Sequence, residues 1–496
     1  MAVGAPELQE QLAEALALVE QLQTEGEQLR ADLGQRDARI ADLESRLADL
    51  ERRLGQNSGN SGKPPSRDSA AERQRQAEER KKKAEASGGA RRQRGKQRGA
   101  RGTTRTMTDA PDEIVEHRPD RCSDCGSLFD EDAVEEGYER RQVVEVPPVE
   151  PVVIEHRAHS LRCRCGKVTA AAFPGEARSP LSYGPRTRAI VAYLLGRQHI
   201  PNRRVAEAMR DLFGLEISSG AVDSIYAEAG KRLKGFIVAL VALLKMLPVL
   251  HVDETSDRLE TKNCWMHVIA TPLYTLLHAS LTRGEEAIRE MGVLHGYRGV
   301  IVHDRLAMYW KLKRAKHGVC AAHLLRDLAD VAVVASQTAW AAGLAALLVE
   351  INNACHAARE RSEDKLAASL RKRFSLRYDE LVASGFAANP EPRFGKRSSV
   401  ERRSYNLVSA FRAHKGSILR FMNDLETPMT NNEAERALRP SKLHRKVSGS
   451  FRSLAGAQRS ANLRSYLDTT RKNGVDAMDA LIRLFAGDPW MPPLPA

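Results

Sequence analysis

Two short apolar runs end in carboxylates: Val249-Leu250-His251-Val252-Asp253-Glu254-Thr255 and Gly299-Val300-Ile301-Val302-His303-Asp304. Short β-branched runs bounded by Pro248 and Gly299 read as buried strands. Between them, Cys264–Ile269 and Leu273–His278 read as antiparallel neighbours, and Gly284–Met291 as a helix. Strands interleaved with helices constrain this part of the chain to an α/β sheet. Two strands that each deliver an Asp at the C-terminal end suggest carboxylates converging on a hard divalent cation, because Mg²⁺ takes oxygen ligands and keeps water in the rest of its shell. A third carboxylate is available in Thr430-Asn431-Asn432-Glu433-Ala434-Glu435-Arg436-Ala437-Leu438-Arg439-Pro440, where Thr430 or Asn431 suits a helix N-cap and Pro440 a stop. Glu433 and Glu435 would lie on faces about 200° apart, and the pattern leaves the choice open. With 64 acidic residues in the chain, solvated strand-end and cap carboxylates would look the same.

Upstream, the apolar residues keep a 3-4 spacing. One seam runs Leu12, Val19, Gly26, Leu33, Ile40, Leu47, Leu54 and the other Leu8, Ala15, Leu22, Leu29, Arg36, Leu43, Leu50. A seam this narrow suits a partner helix better than a core, so a coiled coil is expected. Gly55 and a Ser/Asn/Gly/Pro-rich stretch end it. Residues 63–106 then hold fifteen basic and five acidic residues with almost no apolar side chain. Such a segment buries no core and is expected to be disordered when free. It is either a solvated tail or a phosphate-binding arm. Arg91, Arg92 and Arg94 favour the arm, because guanidinium pairs with phosphate bidentately.

Cys122-x-x-Cys125 and Cys163-x-Cys165 are each followed by Gly and are separated by 37 residues. The β-branched residues between them (Val143-Val144, Val146, Val149, Val152-Val153-Ile154) suggest strands carrying two knuckles, a zinc ribbon with four thiolates around tetrahedral Zn²⁺. The one-residue gap of the second pair departs from the usual spacing. Free reduced cysteines are the alternative, and no thioredoxin-like pattern favours a redox pair.

Residues 184–245 are helical in pattern, with starts at Pro185, Pro201 and Ser218-Ser219-Gly220. Asn202–Phe213 and Ser219–Leu233 fit a helix-turn-helix, and equally two helices packed around Leu212, Phe213 and Ile225. Glu7, Glu10 and Glu14 occupy the place of a signal-peptide apolar region, and the longest apolar run, Gly235–Leu244, is broken by Lys245 and Pro248. Export and membrane insertion are therefore not expected. Seven cysteines, four of them clustered, fit a reducing compartment.

The ordered set resembles the transposases of the insertion sequence 66 family, in the Asp-Asp-Glu transposase group. The resemblance rests on the zipper, Asn57-Ser58-x-Asn60-Ser61-x-Lys63-Pro64-Pro65-Ser66-x-Asp68, the basic arm, the cysteine knuckles, Val252-Asp253-Glu254-Thr255, Cys320-x-x-His323-Leu324, Asn431-Asn432-x-Ala434-Glu435-Arg436-Ala437-Leu438-Arg439-Pro440, and Gly449-Ser450 leading on to Asn473-Gly474. It implies a ribonuclease-H-like core with Asp253, Asp304 and Glu435 as the catalytic set holding Mg²⁺ (or Mn²⁺), and so selects Glu435 over Glu433. Thr430 stands where many members have Asp, and the arm lacks the usual Gly-His pair before the ribbon. The implied activity is cleavage at an element's ends followed by strand transfer into target DNA. Arg436, Arg439, Lys442, Arg445 and Lys446 then lie where they would meet DNA backbone.

The expected organisation is multidomain: a coiled coil (1–55), a disordered basic linker (56–106), a zinc-ribbon DNA-binding domain (107–178), a helical or helix-turn-helix domain (179–246), an α/β ribonuclease-H-like catalytic core (247–335 and 426–480) with a helical insertion (336–425), and a C-terminal tail (481–496). Expected partners are DNA (terminal inverted repeats and target), a second copy through the coiled coil, and accessory proteins, with a cytoplasmic, nucleoid-associated location. Cys320 and His323 read as buried core residues rather than a second zinc site. The competing reading is a non-catalytic zinc-ribbon and coiled-coil DNA-binding regulator with a degenerate nuclease-like core.

Overall fold

The computed structural model describes residues 106–493 apart from 176, 178, 261, 333–336 and 391–398, together with the isolated positions Arg36, Arg39 and Glu78. The coiled coil of 1–55 and the basic segment of 56–106, with Arg91, Arg92 and Arg94, lie outside the described residues apart from those three positions and Thr106. The chain divides into two compact units, Met1–Val143 and Val144–Ala496.

The described part of the first unit is largely irregular. A bridge between Arg121 and Leu128 closes the loop carrying Cys122 and Cys125. Gly126 turns it at φ 72, a left-handed conformation that suits glycine, and its N–H donates to the Cys122 carbonyl at 3.0 Å. Thr108 is held by Gln142, whose side chain accepts from its N–H at 2.9 Å and donates to its carbonyl at 2.7 Å.

The second unit starts with irregular chain, then a hairpin of β1 (Ser160–Arg162) and β2 (Val168–Ala170) that carries Cys163 and Cys165 at its tip. Among the described residues, the β-branched run between the cysteine pairs forms no strand. Val146, Val152, Val153 and Ile154 are exposed. Pro147, Pro148 and Pro151 interrupt the run and remove the ladder donors a strand would need.

Four helices follow: α1 (Pro185–Gly196), α2 (Asn202–Phe213), α3 (Ser219–Arg232) and α4 (Lys234–Met246). The α2–α3 turn uses Gly214 at φ 60 and a Ser218 cap whose hydroxyl accepts from the Ala221 N–H at 3.1 Å. Val205, Met209, Val222 and Ile225 pack there, while Leu212, expected in that contact, is 64% exposed in the last turn of α2.

The sheet comprises β3 (Val249–Leu259), β4 (Lys262–Ala270), β5 (Thr275–Ser280), β6 (Val300–His303) and β7 (Lys316–Val319), in the order β5-β4-β3-β6-β7. The pairs β3–β4 and β4–β5 are antiparallel, whereas β3–β6 and β6–β7 are parallel. Helix α5 (Glu285–Met291) lies between β5 and β6. After β7 come α6 (Ala321–Ala332), α7 (Thr338–Glu360), α8 (Ala368–Ala388) and α9 (Ser399–Ala413), then two short turns, α10 (Asn432–Val447), α11 (Leu454–Lys472) and α12 (Ala477–Ala486). Helix α12 extends into the segment expected as a tail, because Leu481, Leu484 and Phe485 are buried in the core shared with α1.

Alternation along the strands divides the cores. Leu250, Val252, Ile269, Leu276 and Ile301 face the core built with α1–α4. Met266, Val268, Ala270, Leu277 and Ala279 face Ala434, Ala437, Leu438, Ala457 and Ala461 of α10 and α11. Residues 319–429 have a separate core around Trp340, Leu344, Phe374, Tyr378 and Phe411, each large side chain contributing roughly 1.5–3 kcal/mol on burial. Gly385 permits the close approach there: a Cβ on it would meet Val408 at 2.7 Å and the Trp340 ring at 3.1 Å. No helix among the described residues is long and apolar enough to cross a membrane.

Candidate active site

Parallel pairing of β3 on β6 sets Val249 opposite Val300 and His251 opposite Val302. Carried on by two residues, that register brings Asp253 level with Asp304, the first residue beyond β6. Asp253 is at the end of the parallel ladder only, since the antiparallel ladder to β4 carries β3 on to Leu259. The strand-end position expected for Asp253 is thus corrected to mid-strand. The ligating atoms of Asp253, Glu254 and Asp304 lie within 4.8 Å of one another.

Alternation also separates the two adjacent acids. Asp253 shares its face with His251, toward α10, whereas Glu254 starts from the opposite face of β3, though one of its oxygens still reaches the same group. Arg283 donates to Glu254 Oε1 through Nη2 at 2.8 Å and Nε at 3.0 Å, and the Tyr309 hydroxyl donates to Oε2 at 2.8 Å. Burial pushes the Glu254 carboxyl up, against these donors. Burial pushes Asp253 up to about 7, helped by the charges of Glu254, Asp304 and Glu435, and opposed by the Glu254 N–H that donates to it at 2.9 Å. Neighbouring like charges and low dielectric both disfavour a lone carboxylate, and a bound cation would relieve both.

A sharp turn follows Asp304. Arg305 adopts φ 81, unusual for a side-chain-bearing residue. Several contacts hold it there: its guanidinium pairs with Asp327, its N–H donates to His303 Nδ1 at 3.1 Å, and the Leu306 N–H donates to Asp304 Oδ1 at 2.9 Å. His303 is fully buried, and burial pulls it down to about 3, so it stays neutral and serves as that acceptor.

Helix α10 starts differently from the expected capped helix. Asn431 is the N-cap residue, but its side chain makes no capping bond. It reaches β3 instead: Nδ2 donates to the Val252 carbonyl at 2.8 Å, and His251 Nδ1 donates to Oδ1 at 3.1 Å. The Asn431 N–H donates to Cys320 Sγ at 3.2 Å. Pro440, expected to stop the helix, lies inside it. The carbonyl it leaves without a helical donor belongs to Arg436, which is exposed, so water can donate to it.

Within α10 the two glutamates part. Glu433 pairs with Lys472 at 3.5 Å and Arg436 at 3.3 Å. Glu435 faces Cys320 and His323, and the ligating atoms of these three lie within 4.8 Å of one another. Glu435 is therefore outside the tight Asp253–Asp304 group, although its charge acts on Asp253. Cys320 is buried, but His323 keeps 30% of its side chain exposed, so it is not the core residue expected. Arg439, Lys442, Arg445 and Lys446 are exposed along α10. Arg283, Tyr309 and the bond that His303 accepts from Arg305 carry no sequence signal.

Residues 180–459, more than half of the chain, match the transposase IS66 family. The chain belongs to that family. Residues 119–166 match the zinc-finger binding domain of transposase IS66, a span that includes Cys122, Cys125, Cys163 and Cys165. Residues 5–106 match a family of unknown function. A relative from Sinorhizobium fredii (strain NBRC 101917 / NGR234), Uncharacterized protein y4qI, is 25% identical over 407 residues, covering 75% of this chain and 71% of its own length. The IS66 zinc-finger domain fits structural zinc in its donor chemistry. Hydrogen bonds from Ser127 pull the Cys125 thiol down to about 7, and those from Cys165 lower that of Cys163, as suits thiolate ligands. Membership of the IS66 family makes the chain a transposase-family protein, with DNA as its partner.

Proposed function

We propose that this chain is a DNA transposase that cleaves the ends of its element and joins them to target DNA through Asp253, Asp304 and Glu435, with Mg²⁺ or Mn²⁺. The observation that carries the reading is the level alignment of Asp253 with Asp304 on adjacent parallel strands, both near a helix that offers Glu435. The sheet supports a ribonuclease-H-like core: an antiparallel three-strand meander joined at its first strand to two parallel strands, an order of 3-2-1-4-5 in chain sequence. The core then comprises 247–335 and 426–480, interrupted by the helices of 336–425.

The donor set fits a hard cation, being all carboxylate oxygen. When bound, the metal would supply a Lewis acid that activates water or a 3′-hydroxyl and offsets charge on the phosphoryl group. The chain does the rest. Asp253 and Asp304 fix the positions of charge, Arg283 and Tyr309 hold Glu254 beside them, and the tie from Asn431 to β3 holds the start of α10. On α10, Glu435 shares one helix face with Arg439, Lys442 and Lys446 at spacings of four, three and four, so a DNA backbone laid along that face meets cations on its way to the acids. Arg436 and Arg445 flank it, and Arg91, Arg92 and Arg94 add affinity from the arm. The zinc-finger segment holds structural Zn²⁺ through its cysteine thiolates, and the N-terminal zipper makes the homo-oligomer that two DNA ends require.

The test is Mg²⁺-dependent strand transfer with 3′-hydroxyl-ended DNA carrying the terminal repeats. Asp253→Asn, Asp304→Asn and Glu435→Gln should each lower it roughly 10²-fold or more while end-DNA binding persists. Activity in Glu435→Gln with loss in Glu433→Gln would overturn the assignment on α10. DNA binding without any strand transfer in the parent would favour a regulator.

A further inference from the structure

We infer that Cys320 Sγ, His323 Nδ1 and Glu435 Oε1 form a second metal site, for a divalent cation of the zinc class. Cys320 ends the β7 connection and His323 lies in the first turn of α6, three residues on. The junction between them is tied down: the Cys320 N–H donates to the His303 carbonyl at 2.9 Å, and the Ala321 N–H to the Met429 carbonyl at 2.9 Å. Glu435 comes from the first turn of α10, more than a hundred residues later, and its Oε1 lies 3.9 Å from Sγ and 3.7 Å from Nδ1. Tetrahedral zinc with ordinary bond lengths sets sulfur–oxygen and nitrogen–oxygen separations of about 3.6 and 3.4 Å, so both distances to Glu435 are within a few tenths of an ångström of a ligating arrangement, and the sulfur and nitrogen lie within 4.8 Å of each other.

A second observation points the same way. His323 Nδ1 is buried and has no hydrogen-bond partner among the described residues. A buried ring nitrogen left so is unfavourable unless something takes its lone pair or proton. The set of one sulfur, one nitrogen and one carboxylate oxygen matches the zinc class and differs from the all-oxygen group at Asp253 and Asp304. His323 and Glu435 keep 30% and 27% of their side chains exposed, which leaves a fourth position to water and makes the ion exchangeable. Binding forms the metal–sulfur bond as the Cys320 thiol gives its proton to solvent. The cation would fix the orientation of the carboxylate proposed to act at Asp253 and Asp304, but the site itself does not depend on that role.

The test is a Co²⁺ titration of the metal-free full-length protein without DNA, read by thiolate-to-cobalt charge-transfer absorption and confirmed by zinc stoichiometry. Cys320→Ser and His323→Ala should each bind one equivalent fewer than the parent, with unchanged circular dichroism. His323→Ala alters a partly exposed side chain, so it keeps the test valid where Cys320→Ser perturbs folding. Equal stoichiometry in the parent and His323→Ala would overturn the site. That result, found beside a strand-transfer defect in Glu435→Gln, would leave the proposed function standing.

Discussion

Asn431 fastens the helix of Glu435 to the strand of Asp253. Its side chain is fully buried and spends both amide groups on β3, through Val252 and His251. In Asn431→Ala those partners stay buried without a substitute, so unfolding in urea should show a loss of about 1–3 kcal/mol for each one abandoned. Asn431→Asp, which keeps the acceptor for His251, should lose less, and a neutral alanine would rule out the tie. In the sequence Asn431 reads as an N-cap because capping is a local rule, and nothing local reports a partner 180 residues away. Two further side chains, the buried His199 and the half-buried His444, carry a pH signature. Burial pulls His199 and His444 each down to about 4, the former aided by Arg464 and by His444 itself. Folded values below the unfolded one mean that the unfolded chain binds more protons between about pH 4 and 6.5. Stability from each is thus fully present above 6.5 and is lost as pH falls toward 4, on the order of 1 kcal/mol per pH unit. His444→Asn should make the pH dependence of urea unfolding shallower by about one proton in that window. An unchanged slope would mean that His444 is protonated in the folded protein.

At the scale of elements, the exposed edge of β5 is sealed by one helix. The N–H groups of Thr275, Leu277 and Ala279 point away from β4, and each donates to a side chain of α11: Thr469 at 3.1 Å, Ser465 at 2.8 Å and Gln458 at 3.0 Å. A row of unpaired donors, which would otherwise invite another strand, is thereby satisfied. The Ser465 hydroxyl also donates back to the Ala461 carbonyl at 2.8 Å, so it is used twice. Ser465→Ala should cost about 1–3 kcal/mol in thermal or urea unfolding and raise hydrogen exchange at Leu277 most. Exchange unaltered at Leu277 would show that the edge is closed by other means. The helices and strands themselves were readable, since Pro185, Ser218 and the runs before Asp253 and Asp304 are strong local signals. The sealing of β5 was not. Serine and threonine inside a helix score as weak helix formers, and only their spacing against a strand of matching period explains them. Between the cysteine pairs the β-branched content suggests strands, but Pro147, Pro148 and Pro151 outweigh it in the folded chain.

At the scale of the whole molecule, charge is distributed in a way that bears on DNA. Residues 63–106 hold fifteen basic and five acidic residues, while the core adds a basic face along α10 beside Glu435. These two zones should act differently. The proposed basic arm would gather phosphates without regard to sequence, releasing counterions as it does so, whereas the cations of α10 would align backbone with the acids. Where about eight of the arm's fifteen cations reach phosphates, log K falls with log[salt] at a slope near −7. Deleting 63–106 should therefore flatten the slope by several units and weaken all DNA alike. Arg439→Gln with Lys442→Gln and Lys446→Gln should change it by at most about three, because three charges are removed, and should fall harder on strand transfer than on binding. A slope unchanged by the deletion would make the segment a tether, and the sequence-independent affinity would then have to come from the face of α10.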